Sequence, residues 1–284
     1  MRSQVRYPMH GCAALAAVGL LTATAAAQDQ TVTVGQGSFL EVMGTTAPEP
    51  LPQGGPTPRM ADGHPDFSGV WFSGNIGQPQ SWSRTPRPRV EEDPIPFQPW
   101  AQERIDSMSR TEMQLNSPEV NCMPKGVPGS FVGTGHPFEL VALPGRLIQL
   151  IEVGNNWRAM RTDRRPHPEY PDPLFNGNSS AWWEGDTLVV DSIAIDERIW
   201  VLDNGWFHSD ELRIVERIRR PSVNYLEYQF TAEDPKVLTA PWTSAWRTFT
   251  LTRDGDELLE NYCSNNQDPE ELQKLRDQEA NQNR

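Results

Sequence analysis

Between residues 138 and 263 the chain is a succession of short apolar or alternating segments, each cut off by turn-forming residues. Segments 138–143 and 146–153 flank Pro144-Gly145, and Asn155-Asn156 leads into 157–162. Segments 181–183 and 187–194 flank Glu184-Gly185-Asp186, segments 211–219 and 223–231 follow, and Arg253-Asp254-Gly255-Asp256 joins 244–252 to 257–263. Tight turns of this kind link antiparallel neighbours. No stretch between them has the length and period of a helix that could carry a parallel crossover. The reading is an all-β antiparallel meander, and a meander of this size curls to protect its edges. It predicts a lipocalin-like, calycin-type barrel of about 8–10 strands, with a two-sheet β-sandwich as the alternative architecture.

The rest of the chain is laid around that unit. Arg2 and Arg6 precede an apolar run that ends on Ala25-Ala26-Ala27. This is the layout of a signal peptide, 1–27, and the run is shorter than the roughly 20 residues of a membrane span. Cys12 precedes most of the run, so no lipid or membrane anchor is expected. Residues 28–65, with APEPLPQGGPTP at their centre, read as a disordered linker. A single barrel domain is expected over 66–267, beginning with the short strand 67–72 and a Pro-rich wrap, and residues 268–284 form a charged tail. One helix is expected, at 99–113, where Trp100, Ile105 and Met108 recur at helical spacing.

The full chain carries a net charge of −13, and losing the two leader arginines takes it to about −15. That sign argues against nucleic acid as a partner. Export places the chain in the periplasm or outside the cell, an oxidising compartment, where Cys122 and Cys263 are expected to form a disulfide.

The chemistry-bearing residues lie mainly in 161–228. Along 211–219 the alternation puts Glu216 on the same face as Leu212, Ile214 and Ile218, so it points inward with them. A buried carboxylate must be paired, hydrogen-bonded or protonated. Glu216 is therefore either an acid–base group or half of an internal salt bridge to an arginine of a neighbouring strand. His208 stands just before that strand, and His167 is held between Pro166 and Pro168 with Asp163 nearby. Imidazole suits proton transfer near neutral pH. Trp183, Trp200, Trp206 and Tyr228 offer flat rings for a ligand. No metal site is expected, because there is no close-spaced ligand motif such as HExxH, and no nucleotide-binding fingerprint marks an organic cofactor.

The runs DFSGVW (66–71), Cys122-Met123-Pro124-Lys125-Gly126, Pro144-Gly145-Arg146, RPHP (165–168), WEGDTLVVD (183–191), His208-Ser209 with Glu216-Arg217, and Glu233-Asp234-Pro235 resemble those of a group of exported bacterial proteins. The sequence departs from that group's pattern at Arg164, where glycine is common, and around Asn178-Ser179, where a histidine often stands. The resemblance implies export and a β-rich fold and brings no catalytic assignment.

Two functional expectations follow. The first is a cofactor-independent enzyme, a lyase, isomerase or cyclase, or hydrolase, acting at the barrel mouth on a hydrophobic, aromatic or glycosylated small molecule. In it His208 is the principal acid or base, Glu216 its complementary carboxylate, and Asp163 with His167 a second proton-handling pair. The alternative is a non-catalytic, lipocalin-like periplasmic protein that binds a small molecule.

Overall fold

In the computed structural model the described residues are 54–72, 92–132, 135–252 and 256–263, together with Lys274 and Asp277. The leader, most of the linker and most of the charged tail lie outside them. The turns seen in the sequence close hairpins. β2 (Phe138–Leu143) and β3 (Arg146–Ile151) pair with Leu143 opposite Arg146, so Pro144 and Gly145 alone make the turn. Gly145 sits there at φ 74°, a conformation that costs glycine little. β4 (Asn156–Arg161) runs back along β3. β5 (Asn178–Glu184) and β6 (Thr187–Ile193) turn through Gly185-Asp186. β7 (Arg213–Ser222) and β8 (Tyr225–Glu233) form the longest hairpin. β9 (Trp242–Thr243) and β10 (Arg247–Leu251) then occupy successive stretches of one edge of β8.

With β1 (Gly69–Phe72) included, the strand order is β4-β3-β2-β1-β10-β8-β7-β6-β5, antiparallel throughout. The sheet is a nearly closed, lipocalin-like barrel of nine strands, with β9 as an added piece. It is not a simple meander. β1 enters between β2 and β10, with Trp71 opposite both Phe138 and Leu251. Residues 257–263, expected to be the last strand, have no strand pairing, because β1 already occupies the free edge of β10.

The DFSGVW run explains how a four-residue strand holds that position. The Trp71 indole donates to the Phe67 carbonyl at 2.9 Å, and the Arg220 guanidinium lies 4.8 Å over the Trp71 ring. Arg220 also donates to the carbonyls of Asp66, Ser68 and Val223, so one buried side chain ties the entry of β1 to the β7–β8 turn.

Among the described residues up to 263, three short α-helices stand where one was expected. The 99–113 segment breaks into α1 (Pro99–Asp106) and α2 (Arg110–Leu115) at Ser109. There the Glu112 amide donates to the Ser109 hydroxyl, and the Ser109 amide donates back to the Glu112 carboxylate. This reciprocal capping box starts a new helix rather than continuing the old one. α3 (Gly126–Val132) is buried along its whole length and fills the barrel. Its Phe131 stacks on Tyr228 at 4.4 Å and meets Phe138 at 5.0 Å.

Cys122 and Cys263 form a disulfide across 141 positions, joining the approach to α3 with the segment after β10. Residues 54–65, the end of the linker, lie against the barrel. Arg59 forms a two-pronged ion pair with Asp186 at 2.8 and 2.7 Å, and His64 stacks on Trp183 at 4.5 Å. Among the described residues no helix is long and apolar enough to cross a membrane.

Candidate functional site in the β4–β5 seam

The last strands of the order, β4 and β5, share no backbone ladder. Residues 162–177 leave β4 there and cross the outer face of β5 and β6 before β5 begins. The crossing is pinned at several points. The Arg164 amide donates to the Ala181 carbonyl, the Ser180 hydroxyl to the Arg165 carbonyl, and the Leu174 amide to the Ala194 carbonyl. Asn176 donates to the Trp157 carbonyl and to the Asn156 side chain, the nearest the seam comes to a ladder.

A cavity of about 590 Å³ fills the gap. Trp157, Pro166, Pro168 and Phe175 supply apolar walls, and Asn156, Asn176, Asn178 and Ser179 supply uncharged polar groups. Its charged lining consists of Arg158, Arg161 and Arg165 alone. A size of several hundred Å³ with a few placed polar groups is typical of small-molecule sites. Trp157 is 61% exposed, unusual for the largest side chain, and lies at the rim.

Arg158 connects the cavity to the barrel interior. It is 4% exposed, and its Nη2 donates to both Glu216 oxygens at 2.8 Å, while Glu216 is 0% exposed. Tyr228 donates its hydroxyl to Glu216 at 2.9 Å. Burial first, and then the Glu216 charge, push the Tyr228 hydroxyl well above its ordinary pKa, which keeps it protonated as the donor. The other Arg158 nitrogens, Nε and Nη1, are buried and have no hydrogen-bond partner among the described residues. An unsatisfied buried donor costs about 1–3 kcal/mol, more for a charged group, unless water or a ligand supplies the acceptor.

The structure separates the four residues expected to share proton chemistry. Glu216 is committed to Arg158 and Tyr228, so the salt-bridge alternative describes it. The arginine comes from β4, reached through the barrel interior, and not from a neighbouring strand. His208 is buried elsewhere, with Nδ1 2.9 Å from the Ser209 carbonyl. Burial lowers its pKa, opposed by the Ser209 carbonyl, Asp234, the Asp196 carbonyl and Glu197. Its neighbour Ser209 is held by Asp234, donating through both amide and hydroxyl.

Asp163 is paired with Arg165, whose side-chain hydrogen bonds pull its pKa down to about 2. His167 is separated from it. Nδ1 lies 2.8 Å from Asn178 Oδ1, and Nε2 lies 3.5 Å from Asp191. Asp191 in turn accepts from Arg213 at 2.8 and 3.0 Å, a contact that raises the Arg213 pKa. His167 therefore pins the crossing segment to β5 and β6 and lies outside the cavity lining, although Pro166 and Pro168 belong to it.

The aromatic residues expected to hold substrate pack instead. Tyr228 and Trp206 are fully buried, Trp206 edge-on to Phe97 and Trp242, and Trp183 and Trp200 pack against the core. α3 takes up space in the barrel interior, and one open volume lies in the seam. Sequence reasoning missed Arg158, Arg161 and Trp157. The available signal was the alternation in NWRAMR, which puts Arg158 with Met160 on one face and Trp157 with Arg161 on the other.

A second cavity of about 590 Å³ is lined by Asp196, Glu197, Asp210 and Glu211 together with Arg198 and apolar residues. Asp196 is engaged by Arg198, and Asp210 and Glu211 by Lys236. Among the described residues no group of three or more His, Cys, Asp or Glu is arranged to hold a metal ion. Comparisons with family models, with curated proteins and with solved structures return no match.

Proposed function

We propose that the protein is an exported β-barrel that binds a small molecule in the β4–β5 seam without transforming it. The observation that carries this reading is the composition of the cavity wall. It combines exposed indole, proline and phenylalanine surface with amide, hydroxyl and guanidinium groups, and has no histidine or carboxylate. Guanidinium and amide groups recognise and hold. They do not exchange protons near neutral pH. The acids expected to do acid–base work are paired elsewhere, Glu216 with Arg158 and Asp163 with Arg165, and neither histidine lines the cavity: His167 is held through Nδ1 by Asn178, and His208 through Nδ1 by the Ser209 carbonyl.

The test is to titrate the purified protein with a panel of aromatic, terpenoid and glycosylated compounds while following tryptophan fluorescence and thermal midpoint. Recovered compounds are then analysed by mass spectrometry. The expected result is saturable binding of some compounds at one site per chain, weakened by Trp157→Ala, with each recovered unchanged. Chemical change in a bound compound, abolished by His167→Ala or His208→Ala, would restore the enzymatic reading. Absence of any saturable binding would reject both.

A further inference from the structure

We propose that the seam cavity selects a monoanion: a flat, largely apolar molecule bearing one carboxylate. The inference deepens the binding reading and rests on it. Arg158 is balanced by Glu216 and Arg165 by Asp163, both at ion-pair distance. Arg161 is exposed and has no carboxylate partner among the described residues. The cavity wall therefore carries one uncompensated positive charge, in a chain whose net charge is −13. A positive charge in the wall of an open cavity on an acidic chain favours an anion at that place.

The second observation is independent of that count. Arg158 is more than nine-tenths buried, belongs to the cavity lining with its guanidinium 5.5 Å over the Phe131 ring, and retains two nitrogens that find no acceptor among the described residues. Its Nη2 is fixed by the two Glu216 oxygens, so the guanidinium plane cannot turn to satisfy the others. A carboxylate oxygen entering the seam supplies an acceptor that no described protein group provides, and charge-assisted bonds of this kind are stronger than neutral ones. Because the Arg158–Glu216 pair is already neutral, one incoming charge is matched by Arg161 and a second is not. That favours a monocarboxylate over a phosphate monoester or a dicarboxylate. The indole of Trp157 and the ring of Phe175 set the character of the rest of the molecule, flat and apolar.

The experiment compares three probes of the same ring by calorimetry at pH 7 and low salt: 2-naphthoate, 2-naphthalenemethanol and 2,6-naphthalenedicarboxylate. Naphthoate is expected to bind at least about tenfold more tightly than the alcohol, with an affinity that falls as salt rises. Arg161→Gln, an exposed substitution that leaves the fold alone, is expected to remove most of that preference. Arg158→Met combined with Glu216→Gln, which leaves no unpaired buried charge, is expected to remove the remainder. Equal binding of naphthoate and the alcohol would overturn anion selection while leaving the binding reading in place. Binding of none of the three would overturn both. Tightest binding of the dicarboxylate, or a naphthoate preference that survives in both variants, would overturn the single-charge match or its location.

Discussion

Arg158→Met is the substitution whose consequence can be worked out most fully. The carboxylate it strands is 0% exposed and keeps only the Tyr228 hydroxyl at 2.9 Å. Removing one partner of a buried ion pair typically costs about 3–5 kcal/mol, because the remaining charge stays desolvated. For a domain of this size each kcal/mol moves the thermal midpoint by roughly 2–4 °C, so the variant should melt roughly 6–20 °C below the parent. A stranded carboxylate relieves itself by taking a proton, which raises its folded-state pKa above the unfolded value. Stability supplied by such a group is present below the unfolded pKa and is lost as pH rises through the folded pKa. The deficit should therefore shrink as pH is lowered from 7 towards 5. Adding Glu216→Gln removes the charge and keeps an acceptor for Tyr228, so the double variant should be more stable at pH 7 than Arg158→Met alone. Urea unfolding of the four proteins at two pH values gives the coupling directly. If the two single losses simply add, or if the deficit is independent of pH, Arg158 and Glu216 do not hold each other as described.

Three other outcomes are expected. Reducing Cys122–Cys263, or replacing both cysteines with serine, should cost up to about 5 kcal/mol in the loop-entropy model for a separation of 141 positions, read from urea midpoints with and without reductant. Burial lowers the folded pKa of His208 below its usual 6.5. The unfolded chain then takes up that proton first, stability falls as pH drops below about 6.5, and His208→Gln should flatten this slope between pH 7.5 and 5.5. Arg164 sits at φ 51°, where a side chain costs roughly 1 kcal/mol. Arg164→Gly should raise the unfolding free energy by up to about that amount, less what the Arg164 contact over the Trp182 ring at 5.0 Å contributes, read from urea midpoints, and a lower midpoint would refute the strain.

Much of the barrel could be read from local pattern, because hairpins declare themselves within a few residues. Pro144-Gly145 and Gly185-Asp186 are turns by their own conformational preferences, and the alternation in 211–219 put Glu216 inside correctly. Two features could not be read that way. β1 finds its neighbours at Phe138 and Leu251, far along the chain in both cases, and its four residues say nothing of either. α3, with the sequence GVPGSFV, lacks a helical pattern and is held by its surroundings. A Cβ on Gly126 would lie 2.1 Å from the Ile199 side chain and 2.3 Å from the Phe175 carbonyl, so the chain packs there only because the side chain is missing. Arg164 reads in the sequence as an ordinary loop residue, yet its backbone has the left-handed conformation that glycine adopts without strain.

The site itself depends on the same non-local events. With α3 inside the barrel, Phe131 packs against Tyr228 and Phe138, and of the rings expected to grip a ligand Tyr228 and Trp206 become core while Trp183 and Trp200 pack half-buried against it. With residues 162–177 carried over the outer face of β5 and pinned by His167, β4 is prevented from pairing with β5, and the last gap in the wall stays open. His167 was singled out from its sequence as a proton-transfer group. Its contacts to Asn178 and Asp191 make it the clasp that keeps the seam from closing. Arg158 faces that gap from within because β4 alternates, and Glu216 holds it there because β7 alternates as well. Neither strand's pattern names the other. Only closure of the barrel brings the guanidinium to the carboxylate, leaving two of its nitrogens buried without a partner among the described residues.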